Sequence, residues 1–353
     1  MLVGNDFLGD KLSSFLYPVA IYVEDPGERK DMTKETNGYH FHEQNEYEEE
    51  LEIEFDESDE SLLTDNLDHE ILMHRDAHFG GKFEVMLDYY AEEHVGCNPD
   101  FDIERIQYLA AIEKETGKDL APLLLNASEA EAVAKARKAY QDFKKIYESN
   151  RPENRYPKLI ADLILSEEEE PVAEMESIIE EGSKIVPTLL SIVRSEDSYD
   201  PLFPGYGFAP YLAILCLGKI KDPSSIIPIF ETISKETLFG EEASVAALVE
   251  MGDKAKEFLL ELIASRPITQ DNITAAYVLS AYPPEETIGK ACLDQLKDPE
   301  ARANPLFAAY LLGPCEFLID EREKAEFQTI SKDPTLPREL KVEMERTIRT
   351  WEQ

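Results

Sequence analysis

The chain has 353 residues and a formal net charge of −39, from 74 acidic and 35 basic side chains. Such an excess of negative charge excludes the usual ways of binding polyanions, which are neutralisation of nucleic-acid phosphates and docking on anionic lipid. Because 43% of the residues are hydrophobic, the chain can still bury a large core, of a size that suits about two domains or one elongated array.

Cysteine usage and the N-terminus predict a cytoplasmic protein. The four cysteines are widely spaced, and Cys216, Cys292 and Cys315 lie in apolar helical surroundings, as is typical of reduced, buried thiols. Asp6 and Asp10 stand where a signal peptide needs positive charge, and no stretch approaches the ~18 apolar residues of a membrane-spanning helix. We therefore expect a soluble protein with no membrane partner.

Residues 1–69 are predicted to form an acidic, partly extended N-terminal arm. The first 70 residues hold 21 acidic and four basic side chains, close to half of the total charge. The stretch 46–60 is too acidic to collapse alone, which favours a solvated linker. In the alternative, Leu51, Ile53 and Phe55 alternate with glutamates as on a half-buried strand, and this piece lies as an extended edge on the protein or on a partner. A third interpretation is a mimic of nucleic acid or a clamp for a basic partner.

Residues 70–150 are predicted to form a small helical module. A first helix opens after a glycine pair that ends at Gly81, and Gly96 is placed to end it. In a second helix Asp102 is suited to the N-cap and Gly117 to the C-terminal left-handed position.

A third helix of this module is indicated by Ser128 and Glu131, which have the spacing of a capping box. The polar and proline-containing stretch 150–154 would end the module. The expected apolar stripe of this third helix is Val133, Ala136, Tyr140, Phe143 and Tyr147.

Residues 151–353 carry a repeat that is clearest at 209–236, which predicts two short helices packed back to back. The apolar pattern of the first helix breaks at Lys219. Pro223 then starts the second helix, a position at which the missing backbone N–H of proline costs no hydrogen bond. The apolar face of the second helix is expected to contain Ile226, Ile227, Ile229, Phe230 and Ile233.

The same pattern recurs along the chain. Leu217, Leu248 and Leu279 are 31 residues apart, and Leu312 follows 33 residues later. Alanine pairs precede the last three leucines, and such small residues permit neighbouring helices to approach closely. The second, amphipathic segment of the first three copies carries Ile226 and Phe230, then Phe258 and Leu262, then Ile288 and Leu293.

The central copy resembles HEAT-like repeats, particularly the short form found in bilin-lyase-type proteins, in which a helix ending ALGxIgDP precedes one running through xAIPxLxxxL. The resemblance covers about 156–340. Later copies depart from it, since Val249 replaces a glycine and Tyr282 begins a Tyr-Pro-Pro segment in place of the aspartate and proline. The matching residues are Leu217, Gly218, Ile220, Asp222, Pro223, Ile227, Pro228 and Phe230.

This resemblance implies an all-α protein with an α-solenoid of about five helical hairpins, whose extended surface would bind proteins or peptides. It also suggests chromophore attachment as a third hypothesis, although the repeat is shared by proteins that bind no pigment. Tetratricopeptide arrays have a similar period of ~34 residues, but their tryptophan, tyrosine and proline pattern is absent. No family is recognised for residues 1–150.

The insertion at 195–208 is the main candidate for partner binding. It places five large apolar side chains in a loop rich in proline and glycine, and interfaces use such aromatic loops on rigid scaffolds. In the alternative, these side chains fold back and cover the end of one hairpin. The candidates are Tyr199, Leu202, Phe203, Tyr206 and Phe208.

All six histidines lie between residues 40 and 94. His74 and His78 are four apart, so a helix would place both imidazoles on one face, an arrangement that could hold zinc. In the alternative, the histidines only satisfy local hydrogen bonds. No nucleophile elbow, phosphate-binding glycine loop or CxxC pair is present, so the sequence predicts neither catalytic residues nor a cofactor.

These patterns favour a non-enzymatic interaction scaffold or adaptor, whose acidic surface selects a basic protein or peptide partner. The alternative is a metal-binding protein or enzyme that uses the histidine cluster between His69 and His94.

Overall fold

The computed structural model describes residues 66–149, 151–166, 168, 170–234 and 240–351. The chain divides between Thr64 and Asp65 into two units, and the described residues belong to the second. The predictions made for the acidic arm, including the alternating stretch at residues 51–55, lie outside the described residues.

The described residues fold into 18 α-helices without any β-strand, which confirms the predicted all-α class. Short 3₁₀ turns join several of them. In chain order the helices are α1 Asn66–His78, α2 Phe83–Ala91, α3 Ile103–Thr116, α4 Ala121–Leu124, α5 Ala127–Glu148, α6 Arg155–Ile164, α7 Val172–Ile179, α8 Val186–Arg194, α9 Ala209–Ile220, α10 Ile226–Thr232, α11 Gly240–Glu250, α12 Asp253–Ala264, α13 Gln270–Ser280, α14 Glu286–Leu296, α15 Pro299–Ala303, α16 Pro305–Cys315, α17 Glu321–Ser331 and α18 Arg338–Thr350.

Helix ends in the first part of the chain follow from capping chemistry. Asp102 accepts a hydrogen bond from the backbone N–H of Glu104 at the start of α3, and Gly117 ends α3 in the left-handed region with φ 61°, as predicted. The capping box of α5 is formed by Asn126 and Glu129, two residues before the predicted pair. Helix α2 ends at Ala91, so the prediction that it ends at Gly96 is wrong.

The helices of the repeat region pack in a regular order. Helix α9 packs against α11, α11 against α13, α13 against α16, and α16 against α18. The intervening helices contact one another as well, because α8 packs against α10, α12 against α14, and α14 against α17. Phe230 of α10 and Phe258 of α12 continue this second row through an edge-to-face ring contact at 5.5 Å.

The residues that define the repeat lie in its core. Leu217, Leu248 and Leu279 are buried between helices. Gly218 of α9 faces Ala247 of α11 so closely that a Cβ atom on Gly218 would lie 2.8 Å from the Ala247 Cα atom. Small residues therefore set the distance between these helices, as the sequence predicts.

Three details of the repeat differ from the predictions. Ile227 is 54% exposed, because Ile226 and Ile229 already fill the buried face of the short helix α10. The buried stripe of α12 is Ala255, Leu259 and Ile263, so Phe258 and Leu262 lie at its edge. The additional helix α15 accounts for the wider spacing before the last leucine.

All four cysteines are free thiols, and Cys216, Cys292 and Cys315 are buried. Burial raises the pKa of the Cys216 and Cys292 thiols to about 12. Among the helices of the described residues, none combines the length and the apolar character needed to cross a membrane.

Candidate functional site

The loop 195–208 contacts the first helices of the described chain. Leu202 is buried in a small cluster with Ala77 of α1 and Ala136 of α5. The ring centroid of Tyr206 lies 4.5 Å from that of His78, at the end of α1. The structure thus brings together the two sets of residues that the sequence singles out, the loop and the histidine pair.

Other side chains of the loop also make contacts within the protein. The Tyr199 hydroxyl donates to the carbonyl oxygen of Val193 at 2.8 Å. Lys135 of α5 forms an ion pair with Asp197 at 2.6 Å, and its ammonium lies 5.4 Å from the ring centroid of Phe203. These contacts hold the loop against α5 and the end of α8.

Phe208 is half-buried and immediately precedes α9. It lines a small cavity together with Val95 and Leu212. Of the five side chains of this loop that are candidates for partner binding, Leu202 is buried and the other four are half-buried. Binding of a partner by the four half-buried side chains stays a prediction.

His78 is held by both ring nitrogens. Its Nε2 atom lies 3.1 Å from the carbonyl oxygen of Pro201, and its Nδ1 atom lies 2.7 Å from the Tyr140 hydroxyl. A carbonyl can only accept, so Nε2 carries the proton and Nδ1 accepts the hydroxyl proton of Tyr140. Burial, assisted by the neighbouring His74, lowers the pKa of His78 to about 3, so the ring is neutral at physiological pH.

His74 lies one turn earlier on the same face of α1, as predicted. The two imidazole centroids are 5.2 Å apart, and the His74 ring makes an edge-to-face contact with Phe101 at 5.0 Å. Burial lowers the pKa of His74 to about 4. Two neutral, closely packed imidazoles therefore lie at the C-terminal end of α1.

Two further histidines lie close to carboxylates. The Nδ1 atom of His69 is 3.1 Å from a carboxylate oxygen of Glu129, and the Nε2 atom of His94 is 3.0 Å from a carboxylate oxygen of Glu92. In the part of the chain that the structure describes, no group of three or more His, Cys, Asp or Glu side chains is placed to hold a metal ion. A zinc site at His74 and His78 stays a prediction. His40 and His42 lie outside the described residues.

A cavity of about 220 Å³, partly open to solvent, lies beside His78. Its walls are mainly rings, and the rings face in different directions. Phe79 and Tyr89 are inclined at 53° with centroids 5.1 Å apart, and His78 and Tyr140 are perpendicular within 2° at 5.7 Å. The lining residues are His78, Phe79, Tyr89, Tyr140, Ile164, Leu165, Gly205 and Tyr206.

Glycines allow Tyr206 to reach this position. Gly205 and Gly207 on either side have φ of 85° and 82°, and Tyr206 itself has φ of 52°, a backbone conformation that bulky residues rarely adopt. A Cβ atom on Gly96 would lie 2.3 Å from the Tyr206 ring. Gly96 is therefore needed for this close approach, not for ending a helix.

A second candidate surface lies on α11, α13 and α16, and we call its members Glu241, Tyr277 and Tyr310 the tyrosine face. The two tyrosine rings are 5.2 Å apart at 47°. The Tyr277 hydroxyl donates a hydrogen bond to the Glu241 carboxylate. Burial and this neighbouring negative charge raise the pKa of Tyr277 to about 12. The pKa of Tyr310 is raised by burial and by the same carboxylate.

No protein-family model matches the chain, and no curated protein is similar enough to match it. The resemblance to HEAT-like repeats consequently stays a prediction that is based on the residues of the repeat themselves.

Proposed function

We propose that this protein is a non-enzymatic interaction scaffold, a solenoid of HEAT-like hairpins that binds a basic segment of a partner protein across α11, α13 and α16. The observation that carries the proposal is the tyrosine face, where two adjoining half-buried rings lie beside a carboxylate on successive, mutually packed helices. The regular two-row packing of the repeat region supports the solenoid, because such stacking leaves one side of each row available to partners.

The charge of these helices favours a basic partner. Helices α11, α13 and α16 contain Glu241, Glu242, Glu250 and Asp271 and no lysine, arginine or histidine. Glu250 forms ion pairs with Lys219 of α9 and with Lys221, the residue that follows this helix. Among the described residues, the other three carboxylates make no ion pair with a basic side chain, so they retain their charge for a partner.

The chemistry of the tyrosine face suits arginine or lysine. A guanidinium or ammonium group placed over a tyrosine ring gains roughly 0.5–1 kcal/mol at an exposed site, and a nearby carboxylate adds a charge-assisted hydrogen bond. Leu306 of α16 is 44% exposed and supplies apolar contact area at the edge of this face. Tyrosine is enriched in the cores of protein interfaces, and polar groups surround such cores at the rim.

The test compares two full-length variants with the same change of charge. Glu241→Gln plus Glu242→Gln neutralises the tyrosine face, whereas Glu176→Gln plus Glu180→Gln neutralises two exposed carboxylates on and after α7. Each is used as bait in extract of the native cell, and a captured protein is purified and titrated by calorimetry at two ionic strengths. We expect a partner that the control variant retains, that the face variant binds at least about fivefold more weakly, and whose affinity falls with salt.

A partner that binds both variants equally, with an affinity that does not change with salt, would contradict the proposed face and its electrostatic basis. A stoichiometric transition metal in the purified protein that is lost on His74→Ala plus His78→Ala would instead favour the metal-dependent alternative.

A further inference from the structure

The cavity beside His78 is independent of the tyrosine face, and its walls indicate the class of ligand that it would accept. Four of its lining residues, Phe79, Tyr89, Tyr140 and Tyr206, are aromatic, and no lysine, arginine, aspartate or glutamate lines it. From these walls we infer that the cavity binds a quaternary ammonium group through cation–π contacts.

The rings do not form a slot with parallel walls. Phe79 and Tyr89 are inclined at 53°, His78 and Tyr140 at 88°, and Tyr89 and Tyr206 at 30°. A flat ligand stacks best between parallel rings, so walls inclined in this way favour a compact, rounded group.

The volume of the cavity suits such a group. An engineered apolar cavity of about 150 Å³ is known to hold benzene, and a tetramethylammonium ion is of similar size. At about 220 Å³, the cavity has space for the methylated head and the first carbon of a chain that leads to solvent.

The hydrogen-bonding state of the walls favours a fully methylated ammonium over a primary one. The Tyr140 hydroxyl and both nitrogens of His78 are already engaged, and the Tyr89 hydroxyl accepts from the backbone N–H of Gly96 at 3.0 Å. A primary ammonium has three N–H groups to satisfy and no carboxylate lines the cavity, whereas a quaternary ammonium has no N–H to satisfy.

Charge supports the same conclusion. His78 and His74 remain neutral at physiological pH, so neither repels a cation. The whole chain has a formal charge of −39, which raises the concentration of cations around it. Aromatic walls then supply the selectivity, because the faces of tyrosine and phenylalanine rings attract cations that have lost their water.

The test begins with the unmodified, full-length protein at constant ionic strength. Calorimetry compares tetramethylammonium and choline with 3,3-dimethyl-1-butanol, the neutral carbon analogue of choline, and with sodium. We expect the two quaternary ions to bind at least about tenfold more tightly than the neutral analogue. Equal binding of choline and its neutral analogue, or no binding of the quaternary ions beyond that of sodium, would overturn the inference.

A matched pair of variants then locates the site. Tyr206→Leu removes one wall and should weaken choline binding by about tenfold, whereas Tyr147→Leu, on α5 but outside the cavity lining, should leave it unchanged. If Tyr206→Leu does not fold, Tyr140→Leu tests the same cavity from helix α5. Unchanged binding in the folded cavity variant would overturn the assignment.

A peptide containing trimethyl-lysine, titrated beside choline and beside the same peptide containing unmodified lysine, distinguishes a free quaternary ammonium compound from a modified protein side chain. Preference for the methylated peptide over choline would identify a protein side chain as the source. Tighter binding of choline would identify a small molecule.

Discussion

His74 and His78 should give the protein a marked loss of stability in mild acid. In the folded protein burial lowers their pKa values to about 4 and about 3, whereas an unfolded chain protonates histidine near pH 6.5. Below pH 6.5 the unfolded state therefore binds more protons than the folded state, and the free energy of unfolding falls as the pH falls. Each histidine should contribute a loss of about 2 kcal/mol between pH 7 and pH 5.

Denaturant unfolding at pH 7, 6 and 5 measures this slope, and His74→Phe plus His78→Leu provides the comparison. We expect the variant to lose less stability than the wild type over this range, even if its stability at pH 7 is lower. Parallel pH profiles for the two proteins would show that the two buried rings are not the cause.

Between the two histidines, Arg75 illustrates what the sequence could not reveal. Its side chain is fully buried and forms ion pairs with Asp76, Glu113 and Asp119, while its guanidinium lies 4.7 Å from the ring centroid of Phe83. Two of the partners are 38 and 44 residues away in sequence. Local patterns predict the helix that carries Arg75, but only the tertiary fold shows that a charge is buried there.

At the scale of helices, the small residues between α9 and α11 lead to a direct test of the repeat register. Ala247 is buried against Gly218, whereas Ala246 beside it is exposed. Ala247→Leu should lower the free energy of unfolding by roughly 1–3 kcal/mol, because the larger side chain forces the helices apart. Ala246→Leu, the same change on the same helix, should alter it by less than about 0.5 kcal/mol.

Chemical denaturation of the two variants provides the measurement. Similar losses for both would mean that the helix is rotated relative to its neighbour, and the close packing of α9 on α11 would be incorrect. A loss for Ala246→Leu alone would place the register one residue away from the one described.

Helix boundaries could be predicted where one residue is clearly suited to end the helix, either by accepting from a free backbone N–H or by adopting the left-handed conformation. Asp102 and Gly117 are such cases, and both predictions are confirmed. At the start of α5, Asn126 with Glu129 and Ser128 with Glu131 offer two capping boxes, and local chemistry alone cannot choose between them. The sequence draws attention to Gly96, but it does not show why a glycine is needed there. The reason is that the ring of Tyr206, from a distant loop, packs directly against it.

The candidate site shows the same limit. The sequence identifies the histidine pair and the aromatic loop separately, since each is a local cluster. His78 and Pro201, which join them, are 123 residues apart, and no periodicity connects the two segments. Tyr89 and Tyr140 could not be assigned to the cavity for the same reason, because their helical spacing equally fits ordinary core positions.

For the whole molecule, charge should dominate the response to salt. The formal charge of −39 destabilises the compact state by self-repulsion, while the many surface ion pairs each contribute little. Raising the ionic strength from 0.01 to 0.15 M shortens the screening length from about 30 to about 8 Å and weakens long-range repulsion most. We expect the midpoint of thermal unfolding to rise over this range.

Thermal unfolding in sodium chloride measures this effect, and an equal osmolarity of sucrose controls for non-ionic effects of the solute. A falling midpoint would mean that attractive ion pairs outweigh the repulsion. In that case the acidic surface would be better compensated than its net charge suggests.

The contacts of the loop 195–208 with α1 and α5 impose an order on biosynthesis. When a ribosome has just completed α5, the surface around Ala77 that Leu202 will cover is still open to water. At synthesis rates of 5–20 residues per second, the loop follows the end of α5 by roughly 3–12 seconds. During that interval the nascent chain exposes an apolar surface, which gives chaperones a period in which to bind it.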